Sequence, residues 1–200
     1  MADHYYTREP EVASDPKFWN VELRNHLFRF KTDQGVFSKG EVDFGSRLLI
    51  DTFEPPKISG PILDVGCGYG PIGLSIAKDL PDRVIHMVDV NQRAIGLAKE
   101  NAEQNDIDNA SIYESDRLEN VIEEKFSTIL TNPPIRAGKE VVHSIFEQSF
   151  HHLESDGELW VVIQKKQGAP SAKAKLEEIF GNAEVVAKKK GYYILRTLKC

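Results

Sequence analysis

Read as a pattern of apolar and polar positions, the chain changes character near residue 60. Upstream, "HLFRFKTD" (His26 to Asp33) alternates with Phe28 and Phe30 on one side, which predicts a short strand. "EVDFGSRLLIDTF" instead spaces Phe44, Leu48, Leu49 and Phe53 as a helix does. The remainder of residues 1–60 reads as an irregular N-terminal extension that ends in this helix and packs on the domain behind it. "EPPKISG" (Glu54 to Gly60), with two prolines and a glycine, marks the soft boundary.

From residue 61 to 200 the periodicity switches repeatedly between strand and helix. "PILDVG", "RVIHMVDV", "ASIYESD", "FSTILTN" and "GELWVVIQ" read as strands. Between them lie helices: "PIGLSIAKDL" with Pro71 near its first position, "NQRAIGLAKENAEQN" capped by Asn91, and "KEVVHSIFEQSFHHL". "SAKAKLEEIF" is a further helix, and "AEVVAKK" and "GYYILRTL" are two closing strands near enough to pair antiparallel. Alternating strands and helices imply right-handed crossovers, hence a doubly wound α/β domain with a mostly parallel sheet. Ligands of such sheets bind beyond the carboxyl ends of the strands.

Composition narrows the class. Two hundred residues at 40% apolar content suffice for one core of ordinary size. No apolar run approaches a membrane span, and the first 20 residues lack the basic start and apolar stretch of a secretory leader, so a cytoplasmic location is expected. Cys67 and Cys200 are far apart and give no disulfide framework. His151 and His152 are adjacent and diverge on a helix, while His86 and His143 have no ligand partner at useful spacing, so no metal is expected.

The net charge of −6 is unevenly placed. Residues 161–200 hold nine Lys/Arg against three Asp/Glu, a balance of +6 that leaves −12 on the first 160 residues. A basic segment on an acidic chain points either to a solvated face or to a phosphate-bearing partner.

Three motifs carry candidate chemistry. "ILDVGCGYGPIG" leaves the first parallel strand for a helix through Gly66, Gly68 and Gly70, where glycine permits a tight turn and close ligand approach. The spacing also fits a dinucleotide turn, but Asp64 beside it would repel a pyrophosphate and attract an ammonium group. Asp89 ends the second strand, where an acid can accept from both ribose hydroxyls, with Asn91 on the same turn; Asp116 ends the third, within reach of an adenine amine. After the fourth strand comes "NPPI", a buried run stopped by Asn132, Pro133 and Pro134.

Together "DVGCGYG", the strand-end acid, "SD" and "NPPI" resemble a class I S-adenosylmethionine-dependent methyltransferase. The upstream "GVFSKGEVDFGSRLLID" is similar to the approach segment of the ribosomal RNA small subunit methyltransferase C group, which methylates the exocyclic amine of guanine. The resemblance implies a Rossmann-like seven-stranded sheet with a reversed last strand and S-adenosyl-L-methionine as cofactor. It implies Asp64 near the methionine amine, Gly66 and Gly68 along the cofactor, Asp89 at its ribose and Asp116 at its adenine. Larger members of the group carry two related domains, and many NPP-type amine methyltransferases place an aromatic residue where this chain has Ile135.

The chemistry asked of the NPP turn follows from its residues. An exocyclic amine is a poor nucleophile because its lone pair is delocalised; two acceptors gripping its hydrogens aim that lone pair at the methyl group. The Asn132 side-chain oxygen and the Pro133 carbonyl are the two acceptors, and proline rigidity holds the carbonyl in place. Arg136 and Lys139, with Ile135, are the expected substrate-side contacts, and Lys39, Lys165, Lys166 and Lys188 to Lys190 extend them as a phosphate track. Phe37 is expected to cover the cofactor or fill the core. The expected partner is ribosomal RNA or the small subunit, with the chain a monomer or weak dimer. A protein glutamine amide or adenine is the alternative acceptor, and a cofactor-binding ribosome-assembly module without turnover the alternative class.

Overall fold

Two runs of the chain are buried along their whole length, and they set the centre of the sheet. β3 (Ile62–Val65) and β6 (Phe126–Thr131) have no exposed residue, as expected of strands covered on both faces. They pair in parallel with Leu63 opposite Ile129 and Asp64 opposite Leu130. The computed structural model describes residues 7–38, 40–122 and 125–200, so the expectation for Lys39 lies outside the described residues.

β4 (Ile85–Asp89) and β5 (Ala110–Glu114) extend the sheet on one side. On the other side stand β7 (Leu153–Gln164), then β8 (Glu184–Lys189) and β9 (Tyr192–Leu198), in the order β5-β4-β3-β6-β7-β9-β8. β9 runs antiparallel to both neighbours. The seven-stranded sheet with a reversed last strand is therefore the observed architecture.

Helices cover both faces. α1 (Phe44–Thr52), α2 (Pro71–Asp79) and α3 (Gln92–Gln104) bury Leu49, Leu74 and Leu97 against one face. α4 (Lys139–His152) and α5 (Ala169–Phe180) bury Phe146 and Leu176 against the other. Each interior is apolar and tightly enclosed, and apolar burial of this kind stabilises by about 25 cal/mol per Å².

The segment before α1 is not irregular. β1 (Lys17–Leu23) pairs antiparallel with β2 (His26–Thr32), Trp19 lying opposite Phe30. Trp19, Val21 and Leu23 do alternate inward, but exposed Phe18 beneath the Arg29 guanidinium obscures that period in the sequence. The two connecting residues, Arg24 and Asn25, have φ of 49° and 63°, the left-handed pair that a tight two-residue hairpin requires. Arginine is an unusual choice there. Its guanidinium compensates by binding Asp79 Oδ2 at 2.8 Å and the carbonyls of Ile50 and Phe53 at 2.8 and 2.9 Å.

The hairpin joins the main body through a backbone mimic. Asn101 on α3 and Asn105, the residue that caps its carboxyl end, each bond both backbone groups of a β2 residue. Asn101 accepts from Lys31 N at 2.7 Å and donates to Lys31 O at 3.0 Å; Asn105 does the same for Arg29 at 2.9 and 2.8 Å. Four helical residues rise about 6 Å and two strand residues about 6.6 Å, so the spacings match. The strand edge is thus satisfied by side chains instead of a further strand.

Candidate active site

The carboxyl ends of β3, β4 and β6 open onto a cavity of about 340 Å³, the size of a small-molecule site. Gly66 and Gly68 line it at φ of 75° and 57°, and a Cβ added to either would meet nothing within 4 Å. Their backbones are therefore open to a ligand. Gly70 differs. It caps α2 at φ 105°, and a Cβ there would come within 2.7 Å of Leu74, so it serves helix packing.

Asp89 is half-buried and lines the cavity. Its Oδ2 accepts from Gly68 N and its Oδ1 from Asn91 N, both at 2.8 Å. Burial pushes its carboxyl up to about 6, against these hydrogen bonds that favour the charged form. At neutral pH it remains an ionised acceptor. Asn91 itself faces away from the cavity walls: it caps α3 by accepting from Ala94 N at 3.1 Å and donates to Gly35 O at 2.9 Å.

Asp64 is fully buried directly behind the wall formed by Val65 and Gly66. Its Oδ2 accepts from Gly73 N at 2.9 Å at the start of α2, while Oδ1 has no donor among the described residues. Burial raises its carboxyl to about 7, offset by the Gly73 bond and reinforced by Asp89. Burial, together with Asp89 and Asp64, likewise raises the Cys67 thiol far above its usual range, so Cys67 is a neutral wall residue.

At the end of β5, Asp116 lines the cavity, with both carboxylate oxygens held by the neighbouring Arg117 at 3.0 and 3.2 Å. Phe37 also lines it and is 43% exposed. Arg117 was not expected there, nor were Val141 and Ile145 of α4, whose side chains complete the far wall.

Opposite the glycine turn, Asn132, Pro133 and Pro134 all line the same cavity. Asn132 Nδ2 donates to Ser46 Oγ at 3.0 Å and to Asp43 Oδ2 at 3.3 Å. Both contacts are made by the amide nitrogen, so the side chain presents its NH2 to the start of α1 and its oxygen elsewhere. Asp43 also caps α1, accepting from Ser46 N at 3.1 Å. The carbonyl of Pro134 is taken by Ala137 N at 2.9 Å in the short helical turn Ile135–Ala137, whereas that of Pro133 has no donor among the described residues. Two acceptors, Asn132 Oδ1 and Pro133 O, are thus left for a ligand.

Of the remaining expected contacts, Ile135 is half-buried against the core on the α4 side of the sheet, and Arg136 and Lys139 are exposed outside the cavity walls. Asp43 and Ser46 escaped the sequence reading: "DFGS" ahead of an apolar run signals a helix start, but not that its residues meet Asn132.

Residues 27–196 match the methyltransferase small domain family. The chain belongs to that family. It is 63% identical to the uncharacterized protein YbxB of Bacillus subtilis over 200 residues, which is the full length of both. It is 34% identical over 187 residues to the ribosomal RNA small subunit methyltransferase C of Vibrio cholerae, covering 92% of this chain and 53% of that one. The T. thermophilus 16S rRNA methyltransferase RsmC, solved with AdoMet and guanosine, superposes with a TM-score of 0.83 at 26% identity over 96% of this chain and 52% of that one. The chain thus spans about half the length of these two rRNA methyltransferases. Among the described residues no helix is long and apolar enough to cross a membrane, and no cluster of side chains is arranged to hold a metal ion.

Proposed function

We propose that this methyltransferase domain methylates the exocyclic amine of a guanine in small-subunit ribosomal RNA. The observation that carries the reading is the Asn132-Pro133-Pro134 turn, which opens onto the same cavity as the glycine turn with its amide oriented by Asp43 and Ser46.

The cofactor is S-adenosyl-L-methionine, which when bound supplies an electrophilic methyl group on a sulfonium. The residues present fit it. Gly66 and Gly68 leave space where a side chain would intrude, and Asp89 offers carboxylate lone pairs to ribose hydroxyls. The orphaned Asp64 Oδ1, buried behind the turn, leaves acceptor capacity on the side from which an ammonium group would favour its ionised form. Asn132 Oδ1 and Pro133 O then hold the two hydrogens of the acceptor amine and direct its lone pair into the cavity. Neither acceptor changes charge; the proton that the methylated amine sheds passes to water, and positioning supplies the rate enhancement. Methyltransferase C relatives of the same family support guanine as the acceptor.

The deciding experiment transfers labelled methyl from the cofactor onto free 16S rRNA, small subunits, whole ribosomes and ribosomal proteins, and maps the product. Label on a guanine exocyclic nitrogen is the expected result. Label confined to protein would replace guanine by a glutamine amide as the acceptor.

A further inference from the structure

The nine cationic side chains between residues 161 and 200 fall into two groups. Lys173, Lys175 and Arg196 form ion pairs with glutamates, and Lys199 donates to the Leu153 carbonyl at 2.7 Å. Lys165, Lys166, Lys188, Lys189 and Lys190 are all exposed and form no ion pair with any described residue.

These five converge, although 25 positions separate the first from the last. Lys165 N donates to Gly191 O at 2.8 Å, so the turn after β7 touches the β8–β9 turn. Lys190 Nζ lies 4.9 Å from the centre of the Phe44 ring, and Phe44 packs 5.5 Å from Tyr192. Gly45 is pressed so closely on Tyr192 that a Cβ would stand 2.7 Å from its ring. Phe44 follows Asp43, whose carboxylate holds Asn132. An unbroken line of contacts therefore runs from the lysines to the NPP turn. β6 and β7 also run parallel, with Thr131 beside Val161, so both segments leave the sheet at its carboxyl edge.

We propose that Lys165, Lys166 and Lys188 to Lys190 form the surface on which the sugar-phosphate backbone of a single-stranded RNA acceptor docks beside the cavity. This rests on the RNA reading above and adds where the strand lies. Charge fixes the direction of approach: residues 1–160 carry −12 and repel a polyanion, whereas this edge attracts one. The cations do not stand alone. Lys188 and Lys190 lie over the rings of Tyr193 and Phe44, giving the mixed cationic and aromatic character of surfaces that track single strands.

The test compares wild type with a Lys165→Ala/Lys166→Ala/Lys188→Ala/Lys190→Ala variant and a Lys173→Ala/Lys175→Ala control. Anisotropy measures binding of a 20-nucleotide single-stranded RNA across a salt series, with poly-glutamate as competitor and cofactor affinity by calorimetry. The quadruple variant should lose RNA affinity about tenfold or more, with a salt slope shallower by roughly 0.7 for each phosphate no longer neutralised. Its cofactor affinity should hold, and the control should match wild type. Equal RNA affinity and slope in all three proteins would overturn the proposal, as would poly-glutamate displacing RNA at equal charge concentration. If the lysines prove necessary for RNA binding while methyl label appears only on protein, the docking surface stands and the acceptor reading falls.

Discussion

The side-chain nitrogen of Asn132 lies 3.0 Å from the hydroxyl of Ser46, a contact across 86 positions of sequence. With Asp43 Oδ2 at 3.3 Å, it fixes which end of the amide faces α1. The helix start that the hairpin and core hold in place thereby decides the orientation of the proposed catalytic group.

Removing the amide and removing its support should have separable effects. Asn132→Ala should abolish detectable methyl transfer while cofactor affinity, by calorimetry, stays within about threefold. Asp43→Ala should lower kcat on the order of 10²-fold, since small misplacements cost that much, and lower stability by about 1 kcal/mol through loss of the helix cap. A kcat for Asp43→Ala equal to wild type would show that Asn132 orients itself.

Two neighbouring glycines should fail in different ways. Gly68→Ala forces φ 57° on alanine and puts a methyl into open cavity space; cofactor affinity should drop roughly tenfold, with a smaller stability loss of about 1 kcal/mol. Gly70→Ala drives a methyl within 2.7 Å of Leu74, and should cost about 2 kcal/mol or more. Thermal melts with and without cofactor separate the two, and identical profiles would contradict the assignment.

Stability of the cofactor-free protein should carry the signature of Asp64. Its carboxyl rises from 3.8 unfolded to about 7 folded, so the native state holds the proton more tightly. Stability is fullest below about pH 4 for this group and is lost as pH rises toward 7. Asp89, raised to about 6, acts in the same direction over a narrower window. Asp64→Asn cannot ionise, so urea midpoints from pH 4.5 to 8 should increasingly favour the variant, by up to roughly 1 kcal/mol per pH unit. A constant gap between the two proteins would show that Asp64 titrates normally.

Arg24 should matter more than a turn residue usually does. Arg24→Ala deletes two bonds to buried backbone carbonyls and the Asp79 pair while leaving alanine at positive φ. A loss of about 3 kcal/mol in urea unfolding is expected. Arg24→Lys should recover little, because one ammonium cannot span three acceptors. Full recovery by lysine would reduce the role of Arg24 to charge.

Much of this architecture was legible because it is written locally. A strand buried on both faces is mostly apolar, as in "ILDV" with Asp64 its one polar member, and a helix entered through Pro71 or capped by Asn91 announces its own start. The glycine turn and the NPP turn were visible for the same reason. β1 was not, because Phe18 is apolar yet exposed and Arg24-Asn25 lacks the usual turn chemistry. Asp43, Ser46, Val141 and Ile145 reach the cavity only through the tertiary fold, which no local spacing encodes. Ile135 shows the converse: its place beside the NPP turn suggested an acceptor contact, but an isoleucine there gains more by packing on the core.

The asparagine ladder on α3 has a consequence for the order of synthesis. Asn101, which completes the edge of β2 70 positions earlier, also donates to the Tyr69 carbonyl in the glycine turn at 2.8 Å. A chain emerging from the ribosome makes β1 and β2 first, yet their free edge has no partner until α3 has left the exit tunnel. Docking of this hairpin therefore waits on residues made about 70 positions later, and through Asn101 the same helix ties the hairpin to the glycine turn.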